Sequence, residues 1–118
     1  MEKFLIRTVA TGIKFDLKAA NGETIATSEV YKTSAACRRG IESVQNNSLA
    51  PLEDETDPQL RPLPNPKFQL YQDKTGAYRF RLRSRNGKVL LFSQSYRTKS
   101  ACLAGIQSVR QNAEEDTF

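Results

Sequence analysis

Apolar and polar side chains alternate along Ile13-Lys14-Phe15-Asp16-Leu17-Lys18 and again along Tyr78-Arg79-Phe80-Arg81-Leu82-Arg83. A period of two marks a strand with one buried face. Three strands are predicted in each half of the chain. The first lies at about Phe4–Thr8 and Phe68–Gln72, the second at Ile13–Ala19 and Tyr78–Ser84, and the third at Thr24–Thr27 and Val89–Phe92. Asn21-Gly22 and Asn86-Gly87 join the second strand to the third, and this dipeptide predicts a two-residue type I′ turn with positive φ at both positions. After Tyr31 and Tyr96 the period lengthens to 3.6. Cys37, Gly40, Ile41 and Val44 fall at i, i+3, i+4 and i+7, as do Cys102, Gly105, Ile106 and Val109, and each set is one buried helix face. Thr33 and Thr98 stand where an N-cap hydroxyl would satisfy free amides, and the helices end near Asn46-Asn47 and Asn112. Glycine inside the stripe costs about 1 kcal/mol of helix propensity, so its place in both helices predicts a close approach of helix to sheet.

The two halves are related. Residues 12–47 align with 77–112 at an offset of 65, with identical residues at fourteen of the thirty-six positions, among them Phe15/Phe80, Ser28/Ser93, Tyr31/Tyr96, Cys37/Cys102 and Val44/Val109. Roughly two matches are expected from average residue usage, so the sequence reads as a tandem duplication. Before residue 12 an offset of 64 pairs Phe4 with Phe68, whereas Leu5 and Leu70 match only at 65; the phase of this first strand stays open.

The expected fold is therefore α+β and two-layered: tandem β-β-β-α repeats forming one six-stranded antiparallel sheet with both helices on one face. One copy alone is close to the lower size limit for independent folding, which makes residues 1–118 a single domain. Repeat one is 1–47, repeat two 68–112. The segment 48–67 between them holds all five prolines and four acidic residues and is read as an irregular linker. Residues 113–118 form an acidic tail. Because the duplication completes the sheet within one chain, a monomer with internal pseudo-two-fold symmetry is expected.

Asn-Gly, then Ser-x-x-Tyr, then Ala-Cys-x-x-Gly-Ile-x-Ser-Val-x-x-Asn, each present twice, resembles the YegP-like family of small bacterial proteins. The resemblance covers both repeats and implies the β-β-β-α duplication, with single-repeat relatives pairing as homodimers. It implies no catalytic residues and no cofactor.

Composition narrows the function further. The chain has no histidine, the usual general base near neutral pH and the commonest metal ligand. Ser-His-Asp and Cys-His arrangements and His-ligated metals are thereby excluded, and two cysteines fall short of a four-ligand zinc site. Neither a Walker A pattern nor G-x-G-x-x-G occurs. The reading is a non-enzymatic binding or accessory module without cofactor, metal or membrane partner. The first residues carry no signal-peptide core, which makes the cytoplasm the expected location.

Charge then singles out one surface. The net charge is +5, but residues 68–112 alone carry nine basic side chains against one acidic. Alternation sends Arg79, Arg81, Arg83 and Arg85 to the face opposite Phe80 and Leu82, about 6.5 to 7 Å apart. Lys14 and Lys18 hold the same phase in repeat one, and Lys88 is a third auxiliary. Such a stripe fits successive phosphates, so the alternative function is weak, sequence-tolerant binding of RNA or single-stranded DNA through an open sheet face. Stacking partners are scarce: Tyr78, Phe80 and Phe92 are read in the core phase, leaving Leu91 and Tyr71 for the open face. The acidic tail is expected to compete for the stripe. Cys37 and Cys102 read as buried filler, a redox pair requiring Cα atoms within about 7 Å. Tyr31 and Tyr96 read as core residues whose hydroxyls reach water or backbone. Arg38, Arg39, Glu42 and Gln107 read as solvated helix surface.

Overall fold

The structure, a computed structural model, describes residues 3–113. The acidic tail falls almost wholly outside the described residues. The elements follow the order β1 (Phe4–Val9), β2 (Gly12–Lys18), β3 (Thr24–Thr27), α1 (Ser34–Asn47), β4 (Leu52–Asp54), β5 (Lys67–Gln72), β6 (Tyr78–Arg83), β7 (Val89–Ser93) and α2 (Lys99–Asn112). All seven strands belong to one sheet, in the order β1-β2-β3-β7-β6-β5-β4.

Six of the strands pair antiparallel, as the alternation predicts, with β3 and β7 meeting at the centre. The seventh corrects the reading of the segment between the repeats as wholly irregular. Leu52–Asp54 is β4, paired parallel to β5, so the sheet is mixed rather than purely antiparallel. The prolines permit it because they flank the strand at 51 and 58 and leave its own amides intact.

Phe15, Leu17, Phe68, Leu70, Phe80 and Leu82 share one core with the Cys-Gly-Ile-Val stripes of α1 and α2. Both helices therefore cover one face of the sheet, and the intervening strand residues point the other way. Thr33 Oγ1 accepts the Ala36 amide at 3.1 Å and Thr98 Oγ1 accepts the Ala101 amide at 3.1 Å, capping each helix as expected.

Many contacts recur 65 residues on. Ser28 Oγ accepts the Phe15 amide and Ser93 Oγ the Phe80 amide. Phe15 stacks on Tyr31 at 6.3 Å, and Phe80 on Tyr96 at 6.4 Å. Each tyrosine hydroxyl sits against a helix glycine. A Cβ at Gly40 would lie 2.3 Å from Tyr31 Oη, and one at Gly105 would lie 2.4 Å from Tyr96 Oη. No other residue fits there, which is why glycine interrupts both stripes. The phase left open for the first strand is resolved at 64, since Phe4 faces Leu17 as Phe68 faces Leu82.

The Asn-Gly turns differ from the type I′ expectation. Gly22 and Gly87 have φ of 85° and 87°, but among the described residues none other than glycine takes positive φ. The Gly22 amide donates to Ala19 O and the Ala19 amide to Glu23 O, with the same pair at Gly87, Ser84 and Lys88. These are three-residue turns closed by a left-handed glycine, a solution that spares the asparagine. Its side chain instead accepts the amide of Glu23, or of Lys88 in the second turn.

Among the described residues, no helix is long and apolar enough to cross a membrane.

Candidate functional site

On the face away from the helices, direct cross-strand partners form one row spanning the sheet: Leu5, Asp16, Thr27, Phe92, Arg81, Gln69 and Glu53. The β1 end of the row is closed by ion pairing. Arg7 grips Asp16 through Nε at 2.8 Å and Nη2 at 3.3 Å, and Thr27 Oγ1 donates to the same carboxylate at 2.8 Å. Burial by itself would raise the Asp16 carboxyl, but the Arg7 and Thr27 hydrogen bonds hold it below the usual range.

The β4 end is a buried network. Glu53, only 5% exposed, accepts from Lys67 Nζ at 2.6 Å, the Leu63 amide at 2.7 Å and Gln69 Nε2 at 3.2 Å. Burial pushes its carboxyl up, yet these donors outweigh that cost and bring it down to about 2. With its amide nitrogen committed to Glu53, Gln69 turns its oxygen toward β6. There it accepts from Arg81 Nε at 2.7 Å and Arg83 Nε at 2.6 Å.

The predicted basic stripe is thus brought together only in part. Arg81 and Arg83 lie side by side on Gln69, and neither pairs with a carboxylate among the described residues. Arg79 shares their face but is neutralised by Asp73 at 2.8 Å. The Thr75 hydroxyl and then Arg79 hold that carboxyl well below its ordinary value. Lys14 is half-buried opposite Arg7, and Lys18 donates to Thr24 Oγ1 at 2.7 Å. Arg85 and Lys88 leave the stripe altogether. β6 ends at Arg83, the turn that follows reorients the chain, and both side chains line a groove beside α1.

The aromatic reading is also corrected. Leu91 is fully buried, whereas Phe92 is 39% exposed. A bulge between Leu82 and Arg83 sets Leu91 opposite Leu82, and Phe92 opposite Arg81, so the greasy pair meets in the core and the ring faces out. On Arg81's other side, its guanidinium carbon lies 4.5 Å above the Tyr71 ring. Tyr71, Arg81 and Phe92 therefore form an aromatic–cation–aromatic cluster. The signal that could have found Phe92 is the cross-strand pairing of its neighbour Leu91 with Leu82, which overrides counting along a single strand.

The other candidates are quieter. Cys37 and Cys102 are free and buried, and burial pushes both thiols up, Cys102 to about 11. No group of three or more Cys, Asp or Glu among the described residues is placed to hold a metal ion.

The DUF1508 family, described as a domain of unknown function, matches twice, over residues 10–54 and 73–118. The chain belongs to this family. It is 40% identical over 104 residues to a UPF0339 protein of Photorhabdus laumondii, covering 88% of this chain and 79% of that one. A UPF0339 protein of Methanosarcina acetivorans is 53% identical over 47 residues, which make up 40% of this chain but 81% of that relative. The solution structure of Escherichia coli YegP, titled a protein of unknown function, aligns with a TM-score of 0.77 at 31% identity, covering 97% of this chain and 87% of that one.

Proposed function

We propose that this DUF1508 protein is a duplicated, non-enzymatic binding module, and that single-stranded nucleic acid is the ligand class its open sheet face fits best. The duplication rests on the recurrence of contacts at a spacing of 65 and on the two separate family matches. The Methanosarcina relative, little longer than one such unit, supports it. Each half supplies three strands to a single sheet, and one chain suffices as the working unit. Among the described residues nothing pairs a nucleophile with a base, and the lowered carboxylates Asp16, Glu53 and Asp73 are all spent on hydrogen bonds within the protein.

One observation carries the ligand assignment: Phe92 stands exposed beside Arg81, which itself lies over Tyr71. Bases stack on aromatic rings at about 1–3 kcal/mol each, while guanidinium groups meet phosphates. Arg81 and Arg83 carry the charge that no carboxylate cancels, and Arg79, neutralised by Asp73, contributes position more than charge.

Fluorescence anisotropy with labelled oligonucleotides across a salt series tests the reading. Two neutralised phosphates give a log–log slope of about −1.4 for single strands, and Phe92→Ala weakens binding about tenfold through the lost stack. Absence of binding near 50 mM salt, where about two phosphate contacts are least screened, would reject the assignment.

A further inference from the structure

The turn that carries Arg85 and Lys88 away from the open face brings them to a second site on the helix side of the sheet. There, α1 and the β6–β7 hairpin flank a groove of about 880 Å³, within the range of small-molecule sites. Arg39 enters it from α1, Arg85 and Lys88 from the hairpin, and no carboxylate lines it. Arg39 and Arg85 are exposed and have no hydrogen-bond or ion-pair partner among the described residues. Lys88 is placed 4.8 Å from the centre of the Tyr31 ring and 3.1 Å from Glu29 Oε1.

Tyr31 forms part of the wall. The residue is 7% exposed, and its hydroxyl is buried with no hydrogen-bond partner among the described residues. Such an orphaned donor is uncommon in native structures, and here it is packed against Gly40. Burial, then the charges of Glu29 and Cys37, push the phenol up to about 12, so it remains a donor at neutral pH.

The other half of the molecule supplies an internal control. At a spacing of 65, the counterparts of Arg39, Arg85 and Lys88 are Ala104, Ala20 and Glu23. Burial, then Cys102 and Glu23, push the Tyr96 phenol up, so the counterpart of Lys88 near that ring is an anion. The scaffold builds the same helix-on-hairpin contact without these cations. Two guanidinium groups without a carboxylate partner among the described residues, beside a lysine paired with Glu29 and with no basic counterparts in the other half, are a recognition feature.

We propose that this groove binds a small organic phosphate, a phosphomonoester or diphosphate, held by the guanidinium groups of Arg39 and Arg85, with Lys88, ion-paired to Glu29, beside them over the Tyr31 ring. Arginine forks match phosphate oxygens two at a time. This site is independent of the open sheet face and involves none of its residues.

Isothermal titration of the full chain with pyrophosphate, at ionic strength fixed with chloride, is the test. Saturable binding is expected. The double variant Arg39→Ala/Arg85→Ala weakens it by about tenfold or more through lost charge-assisted bonds. Lys74→Ala/Arg97→Ala removes the same charge from exposed positions outside the groove and weakens it less than about twofold, since distant exposed charges are screened. Absence of saturable heat, or equal losses in both double variants, overturns the proposal. If a 5′-phosphorylated oligonucleotide loses affinity in the Arg39/Arg85 variant while its 5′-hydroxyl twin does not, the phosphate belongs to a nucleic-acid end and the small-molecule assignment falls. Phe92→Ala is expected to leave pyrophosphate binding unchanged, so the two sites fail or stand separately.

Discussion

Thr27 lies directly opposite Phe92 where β3 meets β7, and these two positions are 65 residues apart. On the proposed duplication, a strand position that faces its own counterpart would sit on a local two-fold axis, as in an isologous interface folded into one chain. The pair also shows how the halves diverge. Thr27 is small and turns its hydroxyl to Asp16 at 2.8 Å, whereas Phe92 has no such partner and remains exposed. One half of the face is closed by the Arg7–Asp16–Thr27 cluster, and the other half presents an aromatic ring beside two arginines.

The contact of Tyr31 with Gly40 yields two opposite expectations. Tyr31→Phe removes a buried hydroxyl without a partner and should raise stability by about 1 kcal/mol, the cost of burying an unsatisfied polar group. Gly40→Ala gains about 1 kcal/mol of helix propensity but drives a methyl group into the phenol. Overpacking of about 1–3 kcal/mol exceeds that gain, so a net loss is expected. The two combined should recover part of it. Chemical denaturation of the three variants measures all of this.

Glu53 should make the fold sensitive to acid. Its carboxyl titrates at about 2 in the folded chain, against 4.5 for an unperturbed glutamate. A depressed carboxyl stabilises the fold above the unfolded value, and that stability is lost as pH falls from about 4.5 toward 2. Glu53→Gln strands the Lys67 ammonium, which is 12% exposed, and should cost on the order of 3 kcal/mol. It should also flatten the acid limb of stability against pH. Thermal melts from pH 2 to 7 on both proteins give the comparison.

Cys37 and Cys102 should resist thiol reagents in the native state. Both are fully buried with thiols pushed up by that burial, so the reactive thiolate is scarce and shielded. Labelling with a disulfide reagent at pH 8 is expected to be slow until denaturant opens the core, after which two thiols react. Rapid native labelling of either cysteine would contradict the placement.

What could be read from the chain follows from which interactions are local. Helix stripes, Thr caps and the alternation of β2 and β6 depend on spacing within one element, and those elements stand where the sequence places them. The departures all involve partners distant in sequence or choices between backbone conformations. Leu52–Asp54 becomes a strand because β5 offers it an edge, and because Lys67, Leu63 and Gln69 supply donors to Glu53; no short-range pattern encodes those. Leu91 and Phe92 exchange faces because Leu82 recruits Leu91 across the bulge. Arg85 leaves the stripe because the Asn-Gly turn uses three residues rather than two. The same turn draws Arg85 and Lys88 to Arg39, residues remote in sequence whose grouping no motif announces.

The open face is tested most directly by amide and side-chain NMR shifts during titration with a short unlabelled single-stranded oligonucleotide. Perturbations centred on Tyr71, Arg81, Arg83 and Phe92 are predicted, fading as salt is added. Shifts confined to α1 and α2, or none at all at low salt, would contradict it.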